Sequence, residues 1–221
     1  MLTVHHLENS RSQRILWLLE ELGVDYEIQR YDRDRTTGLA PPELFAVHPL
    51  GKSPVITDDG VTVAESGLIV EYLIEKYGNG RLMPEIATPE YLQFRYWIHY
   101  AEGTFMPLMI ISLILTRIET APMPFFLKPV ARKIAEKTRA AYSGPNTKLN
   151  LDYLESTLQN SAWFCGAEMS GADIMMSFPV ETAATRTNLT INYPALEEFR
   201  QRIRKRPAYE RALEKGGPYI Y

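Results

Sequence analysis

Hydrophobic and polar positions change their period once along the chain, near residue 80. Leu2, Val4 and His6 alternate with Thr3 and His5 and predict a short strand broken at Asn9-Ser10. From Ser10 onward Ile15, Leu18, Leu19 and Leu22 recur at helical spacing, and Gly23 supplies the stop. Tyr26 to Tyr31 reads as a second strand, followed by a charged loop from Asp32 to Gly38 and a short proline-opened helix at Ala40-Pro41-Pro42-Glu43-Leu44-Phe45. Val55-Ile56-Thr57 and Val61-Thr62-Val63 flank Asp58-Asp59-Gly60 as a hairpin. Ser66 opens a helix with Ile69, Leu73 and Tyr77 on one stripe and Gly78 at its end. The predicted order is β-α-β-α-β-β-α.

Asn79-Gly80-Arg81 and the prolines at 84 and 89 mark a linker, after which strand signals almost vanish. This divides the chain into an α/β unit over residues 1–80, a linker over 81–89 and an all-helical unit over 90–221. Tyr91, Phe94, Ile98, Ala101 and Phe105 form one stripe of a long helix that Pro107 should kink rather than end. Thr120 to Pro129 reads as a loop. A helix over about Val130 to Tyr142 should be interrupted by Ser143-Gly144-Pro145 before Leu149, Leu151, Leu154 and Leu158 resume. Ser170-Gly171-Ala172-Asp173 has capping-box spacing and opens an apolar helix, and Pro194 and Pro207 start two more.

Composition narrows the function classes. With 24 basic against 27 acidic residues among 221, the net charge of −3 offers no basic field for nucleic acid. The single cysteine, Cys165, excludes an intramolecular disulfide, a paired-cysteine redox motif and a cysteine-rich metal site, so no metal is expected. The first residues lack the basic start and apolar core of a signal peptide, which suits a cytoplasmic setting. The longest apolar run, Met106 to Leu115, falls short of the roughly 20 residues of a membrane span, and no basic amphipathic helix is expected either.

The chemistry concentrates in His48-Pro49-Leu50-Gly51-Lys52-Ser53-Pro54-Val55-Ile56 and in Glu65-Ser66. Pro54 at the mouth of a strand cannot donate to a ladder, and a cis Ser53-Pro54 bond would leave the Val55 backbone N–H and C=O facing an extended peptide-like ligand. Gly51-Lys52-Ser53-Pro54 followed by Glu65-Ser66 resembles the glutathione-binding signature of cytosolic glutathione transferases. With Ala40-Pro41-Pro42-Glu43-Leu44 and Ser170-Gly171-Ala172-Asp173-Ile174, the chain is most similar to the fungal and bacterial subfamily typified by the endoplasmic-reticulum-associated yeast enzyme. The resemblance spans nearly the whole chain. It implies a thioredoxin-like N-terminal domain, an all-α C-terminal domain, a homodimer, and glutathione as co-substrate attacking small hydrophobic electrophiles or a hydroperoxide. The same fold would also serve a non-catalytic glutathione-binding regulatory protein.

Residue by residue, the resemblance implies that Lys52 meets the glycyl carboxylate, that Ser66 and the free N–H groups of its helix meet the γ-glutamyl carboxylate, and that Glu65 meets the ammonium. Ser53, Pro54 and Val55 complete the set. Ser10 matches the catalytic serine of the serine-type classes, with Ser12 as rival; with Gln13 three residues on, Ser10 also has the spacing of a plain capping box. No tyrosine lies between residues 1 and 25 to take that role. A thiol with a pKa near 8.5 is only about 3% thiolate at pH 7, and lowering it by about two units takes roughly 2.7 kcal/mol, within reach of one hydroxyl bond plus a helix end. Phe105, Met106, Met109 and Leu113, with Phe125 and Phe126, are candidates for an apolar pocket, and the same stripe would serve as core. Glu102 is a candidate to reach a neighbouring subunit's ligand, and Arg14, at the start of an amphipathic helix, is expected to be exposed.

Overall fold

A computed structural model describes residues 1–186 and 189–217. Strand β1 (Leu2–Leu7) is joined through helix α1 (Gln13–Leu22) to β2 (Glu27–Tyr31), which lies parallel beside it. After the short α2 (Glu43–Val47) come the antiparallel β3 (Val55–Asp58) and β4 (Val61–Ala64), then α3 (Ser66–Tyr77). The sheet order β2-β1-β3-β4 and the element order β-α-β-α-β-β-α are those of the expected thioredoxin-like unit. Helix α1 is almost wholly buried, with Ile15, Leu16, Leu18 and Leu19 at 0% exposure, because it packs under the sheet on one face and against later helices on the other.

Past residue 80 the described chain holds helices and no named strand. Helix α4 (Pro89–Tyr100) runs through a π-helical turn, Ala101–Phe105, into α5 (Met106–Thr120). Helix α6 (Lys128–Thr138) likewise runs through a second π turn, Arg139–Ser143, into α7 (Gly144–Asn160). The expected interruption at Ser143-Gly144-Pro145 is therefore absent. Each π turn directly precedes a proline, Pro107 or Pro145. A proline has no N–H and its ring collides with the carbonyl four residues back, so the helix widens to i→i−5 bonds, Met106 N–H to Ala101 O and Gly144 N–H to Arg139 O.

Two expectations about membranes also change. The continuous rod Pro89–Thr120, 32 residues, has the length and apolar composition of a span, with 44% of its most apolar stretch buried inside the protein; the sequence reading measured only the uninterrupted apolar run Met106 to Leu115, which is shorter than the rod that carries it. Helix α6 is amphipathic and basic, with Val130 and Ile134 exposed among Lys128, Arg132, Lys133 and Lys137.

Helices α8 (Gly171–Arg186), α9 (Leu189–Asn192), α10 (Pro194–Arg204) and α11 (Pro207–Gly216) complete the order. Gly171 sits where α8 meets α3 so closely that a Cβ would lie 2.5 Å from Ile74 Cδ1. The Ser170 capping box forms: Ser170 Oγ accepts from Ala172 N–H at 3.3 Å and Asp173 Oδ2 accepts from Ser170 N–H at 2.8 Å. Asp173 Oδ1 also accepts from Phe164 N–H at 2.8 Å. Burial pushes the Asp173 carboxyl up to about 6 in spite of these donors. An Asp173→Ala variant orphans two buried N–H groups and is expected to lose about 2–4 kcal/mol in urea unfolding; a loss under 1 kcal/mol would show the cap to be dispensable.

Candidate functional site

The loop before β3, the N-termini of α1 and α3 and the π turn at 101–105 meet around a cavity of about 150 Å³. Lys52, Ser53, Pro54, Val55, Glu65 and Ser66 all line it, joined by Arg11, His48 and Glu102. The Ser53-Pro54 bond is cis. Ser53 Oγ donates to His5 O at 2.8 Å and accepts from Leu7 N–H at 3.3 Å, so the loop is pinned to β1. Gly51, at φ 55°, leaves room that a Cβ would fill 2.6 Å from the Phe45 ring. Glu65 caps α3 at φ 73°, a backbone that side chains rarely adopt, and this turns it into the cavity. Lys52 is exposed at the rim and makes no ion pair among the described residues.

The two serines differ in their surroundings. Ser10 and Gln13 form no capping box, because the helix starts at Gln13 and the Gln13 side chain donates to Ala212 O at 2.6 Å. Instead Ser10 Oγ lies 2.7 Å from Ser12 Oγ, and Ser12 Oγ lies 2.8 Å from His6 Nδ1. His6 Nε2 is 2.9 Å from Gly216 O. A carbonyl only accepts, so Nε2 carries the imidazole proton and Nδ1 accepts from Ser12. The Ser12 proton is thereby committed, and its lone pairs are left to receive the Ser10 hydroxyl. Ser12 is fully buried at 0% exposure, whereas Ser10 borders the second cavity described below. Burial depresses the His6 pKa, helped by the Arg30 charge and opposed by the Gly216 bond, so the ring is held neutral.

Arg14 is buried at 1% exposure, contrary to expectation. Its guanidinium donates to Met175 O at 2.7 Å, to Ser66 Oγ at 3.1 Å and to Glu102 Oε1 at 2.5 Å. Met175 O would ordinarily serve the N–H of residue 179, which is Pro179 inside α8. Arg14 fills the bond that Pro179 cannot make. Glu102 also pairs with Arg11 Nε, 3.1 Å away, within its own chain. Burial alone would raise its carboxyl, but the Arg14 and Arg11 charges hold it below the usual carboxylate range.

A second cavity of about 450 Å³ adjoins the first and shares Arg11 and Ser53 with it. Met106 and Leu113 line it with Ile110 and Phe178. Phe105 and Met109 do not: both are buried in the core, at 0% and 1% exposure. Helix periodicity cannot tell these two faces of the rod apart when both are apolar. Phe125 and Phe126 sit exposed in the loop before α6, away from the cavity. Sequence reasoning missed Arg33, Arg117, Arg186, Phe178 and Thr182, which come from separate elements with no shared motif. Cys165 is buried and its thiol is pushed up to about 12, an inert state.

Residues 10–76 match the family model of the glutathione S-transferase N-terminal domain and residues 105–207 that of its C-terminal domain. The chain is 38% identical over 216 residues to glutathione S-transferase 3 of Schizosaccharomyces pombe, covering 97% of this chain and 88% of that protein. It is 34% identical to glutathione S-transferase 1 of Saccharomyces cerevisiae over 97% of this chain and 95% of the relative. A crystal structure of a glutathione S-transferase from Actinobacillus pleuropneumoniae superposes with a TM-score of 0.80 at 32% identity, covering 98% of this chain and 93% of the other.

Two expectations follow from the buried bonds. Replacing Arg14 by Leu leaves the Met175 carbonyl without its donor and Glu102 with Arg11 alone, so urea unfolding should show a loss of about 2–4 kcal/mol; a loss below 1 kcal/mol would mean that the guanidinium bridges nothing of consequence. The stability due to neutral His6 is complete above its unfolded pKa near 6.5 and disappears as pH falls through the lower folded value. A His6→Asn variant therefore loses less stability than wild type between pH 7 and pH 5, the other titrating groups cancelling in the comparison. Parallel slopes would contradict the assignment.

Proposed function

The chain belongs to the glutathione S-transferase family, and from that premise we propose how its two cavities divide the work of a glutathione transferase: the first holds glutathione, and the second takes the electrophile. The observation that carries this is the charge pattern of the first cavity. Glutathione presents two carboxylates, one ammonium and a peptide backbone. The cavity is lined by Lys52, by Ser66 at the N-terminus of α3, by Glu65 before it, and by Val55. Lys52 takes the glycyl carboxylate, Ser66 the γ-glutamyl carboxylate and Glu65 the ammonium.

The Ser10 hydroxyl then turns from Ser12 Oγ to donate to the sulfur, while the Ser12 N–H, 3.2 Å from Ser10 Oγ, holds its oxygen in place. The thiolate attacks an electrophilic carbon, whose leaving group departs with its electron pair, or a hydroperoxide oxygen. We divide the chain at residues 81–89 and take the working form to be a homodimer, which would cover the exposed apolar Val61, Leu68, Leu92 and Tyr96.

The test is a pH titration of the ultraviolet thiolate absorbance of bound glutathione in wild type, Ser10→Ala and Ser12→Ala. Wild type is expected to lower the thiol pKa by about two units and Ser10→Ala to return it toward about 8.5, with conjugation at pH 6.5 falling tenfold or more at unchanged glutathione affinity. Ser12→Ala falls between, because it loosens Ser10 without removing the donor. A depression that survives in Ser10→Ala overturns the serine assignment, and no depression in any of the three would make the protein a glutathione-binding regulator.

A further inference from the structure

The second cavity combines an apolar wall with an unusual charge. Met106, Ile110, Leu113 and Phe178 form one side. Around them stand Arg11, Arg33, Arg117 and Arg186, and no carboxylate lines the cavity, in a chain whose net charge is −3. Arg11 shares the Glu102 carboxylate with Arg14. The other three are not matched in that way. Arg33 spends its donors on the carbonyls of Glu8, Asn9 and Gly38, and Arg186 donates to Met109 O. Arg117 is exposed, with no side-chain hydrogen bond or ion pair among the described residues.

These charges act on one another. Burial lowers the Arg186 pKa and the Arg117 charge lowers it further. Arg33 is also depressed, first by burial and then, against Glu8, by Arg117. Like charges held together beside an apolar wall are costly until an anion sits between them. A separate observation points the same way: Thr182 Oγ1 is buried at this wall, 3% of the residue being exposed, and has no hydrogen-bond partner among the described residues. A bound acceptor would satisfy it.

We propose that the second cavity selects electrophiles that carry an anionic group on an apolar body, the body lying against Met106, Ile110, Leu113 and Phe178 and the anion between Arg117 and Arg186. This rests on the reading of that cavity as the electrophile site. The arrangement leaves the reactive carbon toward Ser10 and Ser53, at the border with the first cavity, where the glutathione sulfur is assigned. Neutral apolar electrophiles fit the same wall but leave the arginines uncompensated.

The experiment compares 4-chloro-3,5-dinitrobenzoate with its methyl ester. In both, the glutathione thiolate forms a C–S bond at the chlorinated carbon, chloride leaves with the C–Cl electron pair, and the thiol proton goes to solvent. Each kcat/KM is divided by the uncatalysed rate constant. The benzoate is expected to be favoured about tenfold or more in low salt, and the preference should shrink toward unity at about 1 M salt and in Arg117→Gln and Arg186→Gln. No preference in wild type, or one unmoved by both substitutions and by salt, overturns the proposal.

Turnover of neither compound would count against the transferase reading alone. Calorimetric binding of biphenyl-4-carboxylate and biphenyl-4-carboxamide, without glutathione, then decides the anion site. Tighter binding of the carboxylate that Arg117→Gln abolishes supports it, and equal or tighter binding of the amide refutes it.

Discussion

The Arg14 guanidinium is the bond on which the rest of the site depends. It rises from the first turn of α1, inside the α/β unit, and reaches three other elements: Met175 of α8, Ser66 at the start of α3 and Glu102 in the π turn between α4 and α5. A buried cation is expensive unless it is paired and its donors are used. Here a carboxylate shared with Arg11 pairs with it and a carbonyl and a hydroxyl take further protons, while its Nε has no hydrogen-bond partner among the described residues. Both cavities are framed by these same elements, and the guanidinium also lies over the Phe178 ring on the wall of the second cavity, 5.4 Å from its centroid.

Prolines decide where that charge can go. A helix that includes a proline must deal with one missing N–H and one crowded carbonyl. The rod of α4 and α5 solves this before Pro107 by widening into a π turn, and that turn carries Glu102. The rod of α6 and α7 does the same before Pro145. Helix α8 keeps its α geometry through Pro179 and hands the orphaned Met175 carbonyl to Arg14. Two helical irregularities, one widened turn and one freed acceptor, thus supply two of the partners that make a buried arginine tolerable.

The two cavities differ in how their charge is balanced. In the first, Arg11 and Lys52 face Glu65 and Glu102, a mixture suited to a zwitterionic peptide. In the second, arginines from three distant parts of the chain stand without carboxylates beside an apolar wall. Between them lies a line of hydroxyls, Ser10 to Ser12 to His6, in which each proton is directed by the next acceptor until a backbone carbonyl ends the series. The last partner, Gly216, belongs to α11, so the helical half steadies the hydroxyl that the α/β half presents.

The sequence by itself determined the β-α-β-α-β-β-α order and the first cavity, because alternation, helical spacing and the short run from Lys52 to Ser66 are local properties of neighbouring residues. It also placed the rod and its stripe, yet it could not say which apolar side chains of that rod face a cavity, since Phe105 and Met106 share one hydrophobic pattern. Only the tertiary structure decided that Arg14 is buried, that Ser12 is buried against His6 while Ser10 borders a cavity, and that Arg33, Arg117 and Arg186 converge. Those outcomes depend on which atoms meet between separate elements of the fold, and such pairing leaves no period and no spacing for a sequence to display.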